Sequence, residues 1–188
     1  MNIRELLNEN MIEIGAELTS KDEALDKLIE LQKEAGAVRN AVLLSREIHS
    51  RELLGSSAVS MRAAIPSVRH SGAKKTSVSA LTIKDGISYD SPDKRKVRLM
   101  FMISGKDGTD EDTDVKARIL HLLMDSEFTA RLCAAKSKDE FLNIIEERER
   151  DRYPAFKPDK KYDCSDFIKE ESNIKRKIFF FSRNKGKN

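Results

Sequence analysis

The residues of this chain best suited to chemistry lie in one stretch, Arg51 to His70, written RELLGSSAVSMRAAIPSVRH. It holds an Arg51-Glu52 pair, a Ser56-Ser57 pair, the cation Arg62, then Ser67 directly after Ala64-Ile65-Pro66, and finally His70. Such a set suits anions. Guanidinium groups neutralise phosphate or carboxylate, hydroxyls hydrogen-bond to it, and an imidazole or an activated hydroxyl can take a phosphoryl group. Imidazole is the better carrier, because it is nucleophilic near neutral pH and its phosphoramidate is reactive. A serine needs a neighbouring general base, and a phosphate ester formed on Ser67 would be stable and act as a switch. His70 lies three residues further, about 10 Å away in an extended chain, and the odd offset turns it to the other face of a strand. It reads as a partly exposed polar residue beside the loop after Pro66. A hydrolytic triad of Ser67, Asp112 and His70 is permitted by residue type, but no G-x-S-x-G elbow presents the serine.

Several elements must position these groups. Met1 to Leu7 suits a short helix and Met11 to Ile14 a first strand. Ser20-Lys21-Asp22-Glu23 is a capping box, followed by Ala24, Leu25, Leu28, Ile29 and Leu31 at helical spacing and by Gly36 past the last turn. Asn40 to about Leu54 predicts a second helix with Val42, Leu43, Leu44 and Ile48 inward, delivering Arg51 and Glu52 near its end. His49 on that helix reads as a surface residue. Thr76 to Ile83 predicts a strand, and Lys84-Asp85-Gly86 a hairpin turn into Ile87 to Tyr89. After the turn Ser91-Pro92-Asp93, the run Val97 to Ile103 is almost wholly apolar, which suits a central strand covered on both faces. A helix then carries Ile119, Leu120 and Leu123, with His121 as packing or rim, and Ser137 to Glu140 forms a second capping box.

With 188 residues, 36% charged and 39% hydrophobic, the chain is long enough for one domain with a real core. No apolar run approaches the roughly 18 residues of a membrane span, and Met1 to Leu7 lacks the apolar core of a secretory signal, so a cytoplasmic protein is expected. Cys133 and Cys164 are far apart and in no C-x-x-C pair, which predicts free thiols. No metal constellation and no nucleotide loop is present, and no cofactor is expected. The chain divides into a domain over 1–147 and an extension over 148–188. From Arg150 onward it holds 12 Lys or Arg against 6 Asp or Glu, a surplus of six, so the preceding residues carry a net of three negative charges. Tyr153, Phe156, Tyr162, Phe167 and Ile178 to Phe181 are interleaved with that charge, enough apolar area for docking or self-association as a homodimer. Nucleic acid is not an expected partner.

The stretch 51–70 resembles the active-site segment of type 2 enzyme IIA domains of the bacterial phosphoenolpyruvate-dependent sugar phosphotransferase system, the fructose, mannitol and nitrogen-regulatory branch. Arg51-Glu52, Ser56-Ser57 and Ala64-Ile65-Pro66 match that family's motif in order and spacing, and Ser67 stands where its phosphoacceptor histidine is expected. Ala58 to Arg62 replace a glycine-rich run whose N–H groups face the anion. Leu122-Leu123-Met124-Asp125, Glu127-Phe128, and Ala135-Lys136-Ser137 with Glu140-Phe141-Leu142 and Ile144-Ile145 match the family's closing segments. Counting back from them places Asp112 at the position of the second histidine, where a carboxylate would repel a phosphoryl group. Alternatively, that aspartate accepts the Ser67 hydroxyl's hydrogen bond.

The resemblance implies an α/β fold, a mixed β-sheet with helices on both faces, like mannitol-specific enzyme IIA. It implies HPr-like or enzyme IIB-like proteins, or a regulatory target, as partners. With both imidazoles replaced, the expected function is a pseudoenzyme that regulates sugar uptake or nitrogen-linked signalling by binding, through Ser56, Ser57, Arg62 and His70 around the phosphoacceptor position, with Arg51 beside it. The alternative is an active phosphocarrier that takes phosphate from HPr and passes it to an enzyme IIB through a non-standard residue such as His70.

Overall fold

The computed structural model describes residues 2–59 and 61–152. The expectations for Cys164 and for the aromatic and basic sequence after Arg152 lie outside them.

The strand β6 (Val97–Lys106) fixes the architecture. Its side chains alternate between two cores. Leu99, Phe101 and Ile103 enter one, while Met100 and Met102 enter the other. That is why the run from Leu99 to Ile103 is apolar throughout: a strand wet on one face would alternate with polar residues. β6 lies antiparallel to β5 (Ser77–Ile87), and β5 parallel to β1 (Ile12–Ala16). On its other edge β6 pairs in parallel with β3 (Ala63–Ala64) and then with β4 (Ser67–His70). β2 (Ala58–Val59) closes the sheet antiparallel to β3.

Helices α2 (Lys21–Glu34) and α3 (Ala41–Leu54) cover one face. The other face is covered by α1 (Ile3–Leu6), α4 (Glu111–Leu123), α5 (Ser126–Ala134) and α6 (Lys138–Arg152). The expected mixed sheet with helices on both faces is therefore present. α2 starts as its sequence demands. Ser20 Oγ accepts from Glu23 N–H at 3.2 Å, and Glu23 reaches back to Ser20 N–H at 3.3 Å. Gly36, at φ 66°, follows its end in the left-handed region. At α6, Ser137 Oγ accepts from Glu140 N–H at 3.1 Å, but the Glu140 carboxylate takes Lys136 N–H at 2.8 Å, one residue before the cap. α6 runs past 147, and the buried Glu149 accepts from Ile3 N–H at 3.0 Å and Arg4 N–H at 3.3 Å, with Arg118 at 3.6 Å. Burial lifts this carboxyl above the usual carboxylate range, against the pull of those amides and of Arg118.

One polar node sits inside the α2 layer. Gln32 is fully buried and donates to Ser79 Oγ at 3.2 Å and to the Met102 carbonyl at 3.3 Å, while Ser77 and Ser104 donate to its Oε1.

Two expectations change. Lys84-Asp85-Gly86 is not a hairpin turn. β5 continues through it, because β6 pairs with both halves, and the extra length is taken up as a bulge with Gly86 at φ 66°. In α3 only Leu44 and Ile48 are buried, one turn apart, while Val42 is 81% exposed and Leu43 half-buried. The helix packs by a narrow stripe, so neighbouring apolar residues face water.

Candidate functional site

Ser67 opens β4 opposite Ile103, half-buried. Strand alternation then sorts its neighbours: Ser67 and Arg69 face α4, whereas Val68 and His70 face the α2 and α3 layer. α4 presents two groups one turn apart to the first pair. Lys116 Nζ donates to Ser67 Oγ at 3.3 Å, and Asp112 Oδ1 accepts from Arg69 Nε at 3.0 Å and Nη2 at 2.7 Å. Arg69 also reaches Asp110 at 3.2 Å and Thr113 Oγ1 at 3.4 Å. Gly105, the register partner of Arg69, makes this possible. A Cβ there would lie 2.7 Å from both Cβ and Cγ of Asp112, so only glycine lets the aspartate lie over the strand.

The result is a compact group of hydroxyl, ammonium, guanidinium and carboxylate. Such a set can hydrogen-bond to an anion. Lys116 as donor polarises the Ser67 hydroxyl. The charge of Asp112 is met by Arg69, which removes most of the repulsion expected for an approaching anion. Asp112 bonds to Arg69 and not, as the sequence allowed, to the Ser67 hydroxyl.

His70 departs further from expectation. It is 3% exposed instead of partly exposed, and among the described residues neither ring nitrogen has a hydrogen-bond partner. Burial holds the ring below the ordinary imidazole range, against the weaker pull of Asp107 and Glu47. The triad of Ser67, Asp112 and His70 does not assemble, because the histidine leaves the strand on the opposite face.

The remaining candidates serve other places. Ser56 Oγ donates to the Tyr89 carbonyl at 2.7 Å, and Ser57 Oγ lies 3.2 Å from the Tyr89 hydroxyl. Ser57 N–H donates to Glu52 at 3.3 Å, and Glu52 pairs with Lys21 at 2.8 Å, whose Nζ stands 4.7 Å from the Tyr89 ring centre. The serine pair therefore pins the chain entering β2. Burial pushes the Tyr89 hydroxyl far above its ordinary value, assisted by the charge of Glu52. Arg51 is exposed on α3. Arg62 is exposed at the β2–β3 tip, where its carbonyl accepts from Arg98 N–H at 2.8 Å, roughly 15 Å along β6 from Ser67.

His49 Nδ1 lies 2.9 Å from the Ser45 carbonyl, with Nε2 3.7 Å from Asp22 and from Asp26 of α2, and His121 is half-buried on α4. Cys133 is free and half-buried, its thiol pushed up by burial against Arg98 and Arg62. A groove of about 530 Å³ between α5 and α6, lined by Arg131, Ser137, Glu140, Asn143 and Glu147, lies apart from the Ser67 group. The site is placed at Ser67 because the polar side chains converge there. Among the described residues no cluster of His, Cys, Asp and Glu could hold a metal ion.

Sequence reasoning missed Arg69 and Lys116. Each carried a signal: Arg69 shares a strand face with Ser67 at i+2, and Lys116 shares a helix face with Asp112 at i+4.

Known proteins share this arrangement of elements. The nitrogen regulatory protein IIA-Ntr of Neisseria meningitidis superposes with a TM-score of 0.70 at 23% identity, over 76% of this chain and 98% of that one. Mannitol IIA from Escherichia coli gives 0.64 at 20% identity, over 73% and 97%. Mannitol IIA in complex with phosphorylated IIB, also from E. coli, gives 0.65 at 21% identity, over 76% and 99%. In sequence, the fructose-specific EIIABC component of the phosphotransferase system of Bacillus subtilis is 27% identical over 151 residues, which span 80% of this chain but 24% of that protein's length. The mannitol-specific phosphotransferase enzyme IIA component of Staphylococcus aureus is 28% identical over 76% of this chain and 96% of its own. The sequence pattern of the phosphoenolpyruvate-dependent sugar phosphotransferase system, EIIA 2, matches residues 5–148, and the chain belongs to that family.

Proposed function

We propose that this EIIA domain binds partners without carrying phosphate, and acts as a regulatory protein in sugar uptake or nitrogen-linked signalling. The observation that carries the reading is the pairing around β4: Ser67 is held by Lys116, and Asp112 is neutralised by Arg69. A phosphocarrier needs a nucleophile that is basic near neutral pH and a labile bond to phosphorus, and a serine hydrogen-bonded by an ammonium supplies neither. The burial of His70 on the opposite face counts against it as a replacement carrier. What the site can do is hold an anionic group of a partner between Lys116 and Arg69. HPr-like and IIB-like proteins are the proposed partners, in the cytoplasm.

The test is incubation of the full chain with labelled phosphoenolpyruvate, enzyme I and HPr. The expected result is no acid-labile label on this chain. Transfer of label to it would refute the reading.

A further inference from the structure

All four non-glycine residues with left-handed backbone among the described residues lie at one end of the molecule: Met61 (φ 68°), Arg62 (φ 61°), Asp90 (φ 50°) and Lys94 (φ 57°). They occupy the β2–β3 tip and the connection from β5 to β6. Left-handed backbone costs an L-residue roughly 1–2 kcal/mol, and glycine would remove that cost. All four instead carry an exposed side chain: Met61 is 36% exposed, Arg62 and Lys94 are exposed cations, and Asp90 is an exposed anion.

The β2–β3 tip adjoins the start of β6 through its backbone. Arg62 C=O accepts from Arg98 N–H at 2.8 Å and Leu99 N–H at 3.2 Å, placing the tip beside the start of β6. The connection Asp93-Lys94-Arg95-Lys96 is exposed throughout and is closed by Lys94 N–H to Ser91 C=O at 2.9 Å. Among the described residues none of Arg62, Lys94, Arg95, Lys96 or Arg98 is paired with a carboxylate. Arg98 spends its guanidinium on the carbonyls of Ile83 and Lys84, and the Asp93 carboxylate accepts the Arg95 amide. Ser56 ties the end of α3 to Tyr89 in the same connection, two residues after Leu54. There Leu53 and Leu54 stand 88% and 91% exposed.

Four exposed cations, Arg62, Lys94, Arg95 and Lys96, beside two leucines and a methionine left in water describe an interface with something both anionic and apolar. We infer that this end of the sheet docks onto an anionic phospholipid bilayer, the cations lying among the headgroups and Leu53, Leu54 and Met61 entering the acyl boundary. A bilayer fits better than a nucleic acid, because the described cations are interleaved with aliphatic side chains and not with aromatic ones that stack on bases. The surface is separate from the Ser67 group, so the inference stands whether or not phosphate is carried there.

The test is cosedimentation of the full chain with vesicles of phosphatidylcholine mixed with phosphatidylglycerol, against vesicles of phosphatidylcholine alone. Wild type is expected to bind the mixed vesicles and to be released by salt. The variant Lys94→Gln/Arg95→Gln/Lys96→Gln removes three surface charges and is expected to partition about a hundredfold more weakly. Leu53→Ser/Leu54→Ser is expected to weaken partition by about tenfold or more. Both variants keep the basic C-terminal extension, so background binding by that sequence is common to all three proteins. Unaltered thermal melts establish that the substituted surface residues have not unfolded the domain. No binding by wild type, or unchanged binding by either variant, overturns the inference. So does capture of soluble polyglutamate with vesicles ignored, which would mark an acidic protein partner.

Discussion

Replacing His70 with leucine should make the domain more stable, not less. The ring is 3% exposed and both nitrogens lack partners among the described residues, so the fold carries buried polar groups without compensation, each costing about 1–3 kcal/mol. Leucine removes those groups with little change in volume. Some of the gain is lost to imperfect shape, since the wall at Gly72 is tight: a Cβ there would lie 3.0 Å from His70 Nδ1. A net gain of about 1 kcal/mol at neutral pH is expected for His70→Leu.

The pH dependence is the sharper signature. Burial depresses the folded imidazole below its ordinary value, so as the pH falls the unfolded chain takes up the proton first. The stability associated with His70 is therefore present above about pH 6.5 and is lost as the pH falls from there towards the folded-state value. Within that window wild type should weaken relative to His70→Leu by up to about 1.4 kcal/mol per pH unit. Urea unfolding of both proteins, from neutral to mildly acid pH and with equal m-values, measures the difference directly. A difference that stays flat with pH, or a variant destabilised by more than about 2 kcal/mol at neutral pH, would refute the reasoning. Either result would mean that the ring is solvated or bonded in the folded state.

Met61→Gly and Arg62→Gly should each stabilise by about 1 kcal/mol, less the extra freedom of glycine in the unfolded chain, raising Tm by about 2–4 °C in a thermal melt. Gly105→Ala should destabilise by about 2 kcal/mol or more, because its methyl needs the space of Asp112, and adding Asp112→Gly should recover part of the loss in the same urea assay. Glu52→Gln should cost about 3 kcal/mol by leaving Lys21 without its charge partner, and near-ultraviolet circular dichroism should report the loosened Tyr89.

How legible each part was depended on where the deciding contact lay. β6 announced itself, since the five successive apolar residues from Leu99 to Ile103 need two cores to bury them, and α2 was bounded by the cap of Ser20 and Glu23 and by Gly36. Those are local signals. Asp85-Gly86 is as strong a local signal for a turn, yet a partner strand running alongside both halves overrode it. Val42 and Leu43 failed for a similar reason, since how wide a stripe a helix buries depends on the layer beneath it. At the site, Ser67 and Asp112 could be marked from the motif, but the bonds that define them come from Lys116 and Arg69. Pairing them requires knowing that α4 lies over β4 and which face of the strand it meets. The burial of His70 followed from alternation only in direction; its depth is set by Gly72 and Asn40 closing over it.

The Gln32 node bears on how any message from the Ser67 side could travel. If α2 slid by one turn, about 5.4 Å, it would strand an amide and three hydroxyls in a dry interior, at about 1–3 kcal/mol apiece. The joint is keyed against a one-turn slip between this helix and the sheet. α2 and the sheet therefore hold their register as one frame.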